Sequence, residues 1–293
     1  PKVRGRVWGV ASGTHDLPRP KMWRRRTPDR YRGGVIQSAD GGRTWKASSQ
    51  GMPETAATHI VLDPKSPVDA RVLYVAAFGR GVYKSTDGGA NWTLKNNGIQ
   101  QANPFAWRLE QDGRDGLYVV LARASEDGSI GNSGDGAVYF SADGAETWKP
   151  VQLPAGVNGP NGITADARRP GRLYLSAWCR KGESAQGSGG IYVSDDGGKS
   201  WRHTLTSDQH IYDVTLDPRV DGLAYACGFE STAWRSLDGG GTWSRIPGYD
   251  FKWGHRVIPD PTSRLKVYIT TFGGSVWHGP VPAASSGGQR QVK

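Results

Sequence analysis

The chain is poor in the residues on which several kinds of chemistry depend. Two cysteines in 293 residues, Cys179 and Cys227, cannot make a disulfide framework. They fall on equivalent strands of successive repeats, so a single bridge in an oxidising compartment stays open, beside the reading adopted here of two free buried thiols. No Cys/His cluster has zinc spacing. The Asp-Gly-Gly turns lack the alternating oxygen ligands and closing Glu of a calcium loop. No Gly-rich loop joins a strand to a helix, as phosphate binding requires. Neither metal nor cofactor is therefore expected. No apolar run approaches the roughly 20 residues of a membrane span, and no leader pattern is present. The first residue is Pro1 rather than Met, which reads as a mature or trimmed product, so a missing leader leaves export open.

Acidic side chains are also scarce, 27 against 37 basic ones, for a formal net charge of +10. Such a balance favours anionic partners such as acidic glycans, nucleic acid or anionic surfaces. The densest basic run, Arg24-Arg25-Arg26, sits beside no nucleic-acid module and no aromatic–basic platform, so no nucleic-acid partner is expected and the run reads as a solvated loop. What is abundant is Gly (42), Pro (18), Trp (12) and Tyr (11), a composition suited to short strands and tight turns.

One phrase recurs five times: Ser38-Ala39-Asp40-Gly41-Gly42-Arg43-Thr44-Trp45, then Ser85–Trp92, Ser141–Trp148, Ser194–Trp201 and Ser236–Trp243. The Asp closes a turn on backbone amides two or three positions on. The Gly residues permit positive φ, and the Trp opens a strand with an N–H that needs a partner. Apolar pairs such as Val82-Tyr83 and Ile191-Tyr192 precede the copies, so each is a hairpin turn. Asn91 and Ser200 stand where Thr is usual, and Ala145 replaces a Gly, at a cost of roughly 1 kcal/mol if φ there is positive.

The phrase resembles the Asp box, or BNR repeat, found in sialidases, xyloglucan-degrading glycoside hydrolases, sortilin-type receptors and a photosystem II assembly factor. The resemblance implies architecture more than activity, because the box is a structural turn in families with different functions. Copies begin at 38, 85, 141, 194 and 236, giving periods of 47, 56, 53 and 42 residues, which are propeller-blade lengths.

The expected fold is all-β: a β-propeller of four-stranded antiparallel blades, about six, spanning 1–282. Blades are placed at about 1–50, 58–98, 105–153, 161–206, 210–247 and 254–280, and 283–293 is read as a disordered tail. The first blade lacks its first strand and the last its fourth. Either six blades close unconventionally or N-terminal blades are missing from this chain.

In such blades the box lies on one face of the disc and the chemistry is expected on the other. Aligning on the Asp that ends each first strand puts His59, Arg108, Gly162, Asp213 and Arg256 four positions before it. Thr58, Trp107, Asn161, Tyr212 and His255 lie five before it. Strand alternation lets only one of each adjacent pair face the channel. Loops after the second strands add His15, Asp16, Arg80, Arg123, Glu126, Trp178, Arg180, Glu183, Phe229, Glu230 and Phe272. A wet tunnel lined by inert polar residues would give a similar ring.

Glycoside hydrolysis needs two carboxyls, for which Asp213 pairs with Glu230, Glu126 or Asp16; His15 lies beside Asp16 in the longest insertion. A uronate lyase would instead use a base such as His255, Tyr212 or His59, with Arg256 or Asn161 neutralising the carboxylate. Trp107, Trp178, Arg108, Arg123 and Arg180 complete the substrate-binding candidates, by stacking on sugars or pairing with anions. The sialidase residues are not carried over: the nearest text to that family's aromatic-Arg-Ile-Pro phrase, Ser244-Arg245-Ile246-Pro247, follows a box and lacks the aromatic. Xyloglucanase-like enzymes share the Asp-Pro strand and the box, but they have two larger propellers forming a cleft. No cysteine-rich domain of sortilin type follows the repeats. The expectation is a secreted or periplasmic glycoside hydrolase acting on a glycan, acidic ones included. The alternatives are the lyase and a non-catalytic binding or assembly propeller.

Overall fold

Five acidic turns set the spacing of the chain. Asp63, Asp112, Asp166, Asp217 and Asp260 each accept the amide two residues on, at 2.7–3.0 Å, and reverse the backbone after an apolar strand. The structure, a computed structural model, describes residues 5–13, 32–124, 134–179, 187–229, 233–249, 254–263, 266–271 and 276–280. The proposed tail 283–293 lies outside these residues.

The first sheet holds β1 (Val7–Ser12), β2 (Gly33–Ser38) and β3 (Lys46–Ala47). The second holds β4 (Ala57–Leu62), β5 (Leu73–Ala77), β6 (Gly81–Ser85) and β7 (Thr93–Leu94). The third is β8 (Ala106–Gln111), β9 (Leu117–Ala124), β10 (Asp135–Ser141) and β11 (Lys149–Pro150). The fourth is β12 (Pro160–Ala165), β13 (Leu173–Ala177), β14 (Gly190–Ser194) and β15 (Arg202–Leu205). The fifth is β16 (Ile211–Leu216), β17 (Ala224–Gly228), β18 (Ala233–Ser236) and β19 (Ser244–Arg245). The last is β20 (Gly254–Pro259), β21 (Lys266–Thr271) and β22 (Val276–Pro280). All pairings are antiparallel between consecutive strands, and no helix occurs among the described residues. The fold is an all-β propeller whose first and last blades each show three strands.

Every Asp box closes on itself in the same way. The Ser hydroxyl donates to Asp Oδ1 at 2.7–2.8 Å and accepts an amide at 2.7–2.9 Å. Asp Oδ1 accepts the amide four residues on at 2.9–3.0 Å in every box, and in three of them also the amide three residues on that the sequence led one to expect, at 2.9–3.0 Å. Oδ2 takes the side chain of Thr44, Asn91, Thr147, Ser200 or Thr242, so Asn91 and Ser200 do the work of the usual Thr. The Thr44 and Thr147 hydroxyls hold the carboxyls of Asp40 and Asp143 down at about 2.

Blades stack through apolar clusters, each shared by two neighbours. Val35 with Trp92 joins blades one and two; Tyr74 with Trp148, two and three; and Tyr118 with Leu175, three and four. Tyr174 with Trp234 joins four and five, and Tyr225 with Val257 joins five and six. No such cluster joins blade six to blade one among the described residues. The box Trp adds a latch: Trp92, Trp148 and Trp201 donate their indole N–H to Ser48, Lys95 and Gln152 carbonyls of the preceding blade, and Trp243 donates to the Thr204 hydroxyl.

Cys179 and Cys227 are both buried, and no disulfide joins them.

Candidate functional site

The box turns bond to the turns that precede second strands, as in Gly88 N to Arg71 O (2.9 Å) and Gly197 N to Gly171 O (2.8 Å). Boxes and Asp turns therefore share one face. The opposite face begins the inner strands β4, β8, β12, β16 and β20, whose early residues ring the central channel.

All five inner strands carry a β-bulge at the same place, between 57 and 59, 106 and 108, 160 and 162, 211 and 213, and 254 and 256. The bulged residues are Thr58, Trp107, Asn161, Tyr212 and His255. A bulge inserts an unpaired residue and re-aims side chains, and this corrects the expectation that only one of each adjacent pair reaches the channel. On β20 both do: His255 Nε2 lies 3.1 Å from Arg108 Nη2, and Arg256 Nε lies 3.0 Å from Asp213 Oδ2.

Those contacts fix charge states. A guanidinium only donates, so His255 offers Arg108 a neutral Nε2. His59 Nδ1 accepts the Leu109 amide at 3.3 Å, which likewise requires a neutral ring. Burial first, then the Arg108 charge, pushes both histidines down to about 4. Asp213 is buried, takes the Val214 amide on Oδ1 at 3.0 Å and pairs with Arg256 through Oδ2. Burial also pulls the Arg108 pKa down.

The inner strands hold a second acid that the sequence reading missed, Glu110, two residues beyond Arg108 on β8 and on the same side of the strand. Its Oε1 accepts the Ala165 amide of β12 at 3.4 Å. Burial, then the Asp213 charge, pushes its carboxyl up to about 8. The signal was available: in the column two before each turn Asp stand Val61, Glu110, Thr164, Thr215 and Ile258, and Glu110 alone is ionisable.

Aromatic rings border this cluster. Trp178 lies 4.9 Å from both His210 and Tyr212 and 5.8 Å from Phe229, while Tyr212 lies 5.5 Å from His255. Trp178, His210 and Phe229 keep part of their surface exposed, as does Trp107, whose ring carries the Arg108 guanidinium at 5.3 Å. Cys179 Sγ sits 3.4 Å from His210 Nε2, a contact the sequence did not suggest.

The other candidates divide. Tyr212 is 1% exposed, walled in by Trp178 and His255, so it presents no base to a ligand. Asn161 Nδ2 donates to the Tyr212 carbonyl (3.0 Å), pinning blade four to blade five. Arg123 bonds the Asn158 side chain and the Trp178 and Cys179 carbonyls, so it braces a loop. His15, Asp16, Glu126, Arg180, Glu183, Glu230 and Phe272 lie outside the described residues. With Glu230, Glu126 and Asp16 there, none of the expected carboxyl partners of Asp213 can be placed against it, whereas Glu110 can.

A family model described as BNR/Asp-box repeat matches residues 192–203, within the fourth blade. Over 200 residues the chain is 28% identical to a xyloglucanase from Paenibacillus sp; the match takes in 66% of this chain and 17% of that protein. An ancestral GH74 enzyme superposes with TM-score 0.57 at 21% identity, over 76% of this chain and 28% of that one. YCF48 bound to a D1 peptide superposes with TM-score 0.54 at 17% identity, over 86% and 75% of the two chains. The chain thus spans under a third of the xyloglucanase and of the GH74 chain. Repeats, sheets and likenesses agree on one architecture, an Asp-box β-propeller.

Proposed function

We propose that this chain is a carbohydrate-active propeller domain, spanning 1–282 and secreted or periplasmic, that hydrolyses a glycan at the face opposite its boxes. The observation that supports it is the channel mouth itself, where a buried carboxylate, two arginines and two neutral histidines lie beside partly exposed Trp178, Phe229 and Trp107. Rings of this kind stack on sugar faces, and arginines able to exchange an internal partner for a ligand carboxylate or sulfate extend the substrate to acidic glycans. The likeness to a xyloglucanase lends the same reading support.

A second reading, a binding or assembly propeller without turnover, draws on Asn161 and Arg123, whose polar groups are spent on the protein's own backbone. The lyase has less support, because Tyr212 is buried and His255 Nε2 is already engaged by Arg108.

The test is a panel of neutral and acidic glycans assayed for new reducing ends and for the ultraviolet absorbance of an unsaturated uronate. Reducing ends without that absorbance, abolished in Asp213→Asn with binding kept, support the hydrolase. The absorbance marks a lyase. Tight binding of a polymer or peptide without turnover marks the second reading.

A further inference from the structure

We infer that Glu110 is the proton donor of this site and Asp213 its partner carboxylate, acting on a glycosidic bond held at the channel mouth; this rests on the hydrolase reading above. The inner strands read Ala57–Leu62, Ala106–Gln111, Pro160–Ala165, Ile211–Leu216 and Gly254–Pro259, and Glu110 and Asp213 are their only acids. The fold brings both to one channel. The charges that act on Glu110 are those of Asp213 on β16, Arg256 on β20 and Arg108 on its own strand, and the Ala165 amide of β12 lies against its Oε1.

The two carboxyls differ in partners. Asp213 has an amide on one oxygen and a guanidinium on the other. Glu110 has one long amide contact and, among the described residues, no cation within ion-pair distance. Burial first, then the Asp213 charge, favours the proton on Glu110. Two carboxyls with partners this unlike suit the division into acid and base that glycoside hydrolysis uses.

The step balances without a co-reactant. The Glu110 proton passes to the glycosidic oxygen as its bond to the anomeric carbon breaks, and the leaving sugar departs as an alcohol. Water adds to that carbon and gives its proton to the Asp213 carboxylate. Passing that proton back to Glu110 through solvent restores the start.

The experiment compares wild type and Glu110→Gln on the natural glycan and on an aryl glycoside of the same sugar, whose phenolate leaves without protonation. The expected loss is roughly 10²–10⁴-fold on the glycan and under about tenfold on the aryl glycoside. An alkaline limb in the wild-type pH–rate profile is expected and should vanish in the variant. Equal losses on both substrates would show that Glu110 only holds the channel together, and unchanged rates that it takes no part. If Glu110→Gln fails to fold, a wild-type profile without an alkaline limb overturns the assignment by itself. Wild type inactive on every glycan sinks the hydrolase reading and Glu110 with it, whereas an active enzyme losing turnover only in Asp213→Asn sinks Glu110 alone.

Discussion

Ala145 adopts φ of 69° where the other four boxes place Gly at 84–90°, so the replaced glycine does occupy a left-handed position. Relieving that strain gains about 1 kcal/mol. Ala145 is nevertheless wholly buried within the cluster between blades two and three. Removing its methyl loses about 0.8 kcal/mol, and a Gly adds unfolded-state entropy worth about 0.5–1 kcal/mol. Ala145→Gly should therefore fall within about 0.5–1 kcal/mol of wild type, on the destabilising side, by urea denaturation. The box glycines separate by their surroundings. A Cβ on Gly240 would lie 2.6 Å from the Tyr174 ring, whereas on Gly42 the nearest atom is 3.6 Å away. Gly240→Ala should cost about 3 kcal/mol, strain and overpacking together, and Gly42→Ala about 1 kcal/mol. Equal midpoints for the two would refute this.

At the scale of elements, the box is both a turn and a latch, and only the turn was legible in the sequence. Its Ser, Asp and Gly act on neighbours in the chain, so spacing discloses them. The indole partner lies on another blade, 39–53 residues away, and no local pattern names it. The bulge on each inner strand was hidden for a related reason: one extra residue shifts the register without altering the apolar pattern, so simple alternation, which admits one of each adjacent pair, missed that both His255 and Arg256 reach the channel. Glu110 was hidden by its place two residues past the bulge, beyond the columns that hold the polar ring. The latch makes its own prediction. Trp148 is 3% exposed and bonds the preceding blade, while Trp45 is 45% exposed and donates to Gly42 of its own box. Trp148→Ala should cost about 4 kcal/mol, and Trp45→Ala about 1 kcal/mol, because much of that ring is already in water. Similar losses would mean that the Trp45 side is covered in solution.

Across the whole molecule, the channel sets how stability varies with pH. His59 and His255 have folded pKa values near 4 against 6.5 for a free histidine. Below pH 6.5 the unfolded chain binds protons that the native one refuses, so their contribution is complete above 6.5 and is lost as pH falls toward 4. Glu110 has the opposite sign. Its folded value near 8 against 4.5 means the native state keeps a proton that the unfolded chain has released. Its contribution is present below 4.5 and is lost as pH rises toward 8. Between 4.5 and 6.5 two histidines outweigh one glutamate, and stability from these groups rises with pH. Above 6.5 the glutamate acts alone and stability falls. The channel groups therefore place their optimum near pH 6.5. In denaturation midpoints followed from pH 4 to 9, Glu110→Gln should flatten the alkaline side and leave the acid side steep. His59→Asn should nearly abolish the slope between pH 4.5 and 6.5, because the one remaining histidine proton is cancelled by that of Glu110. An alkaline decline that persists unchanged in Glu110→Gln would show that the carboxyl is already ionised at neutral pH, which would also remove the basis for its role as a proton donor.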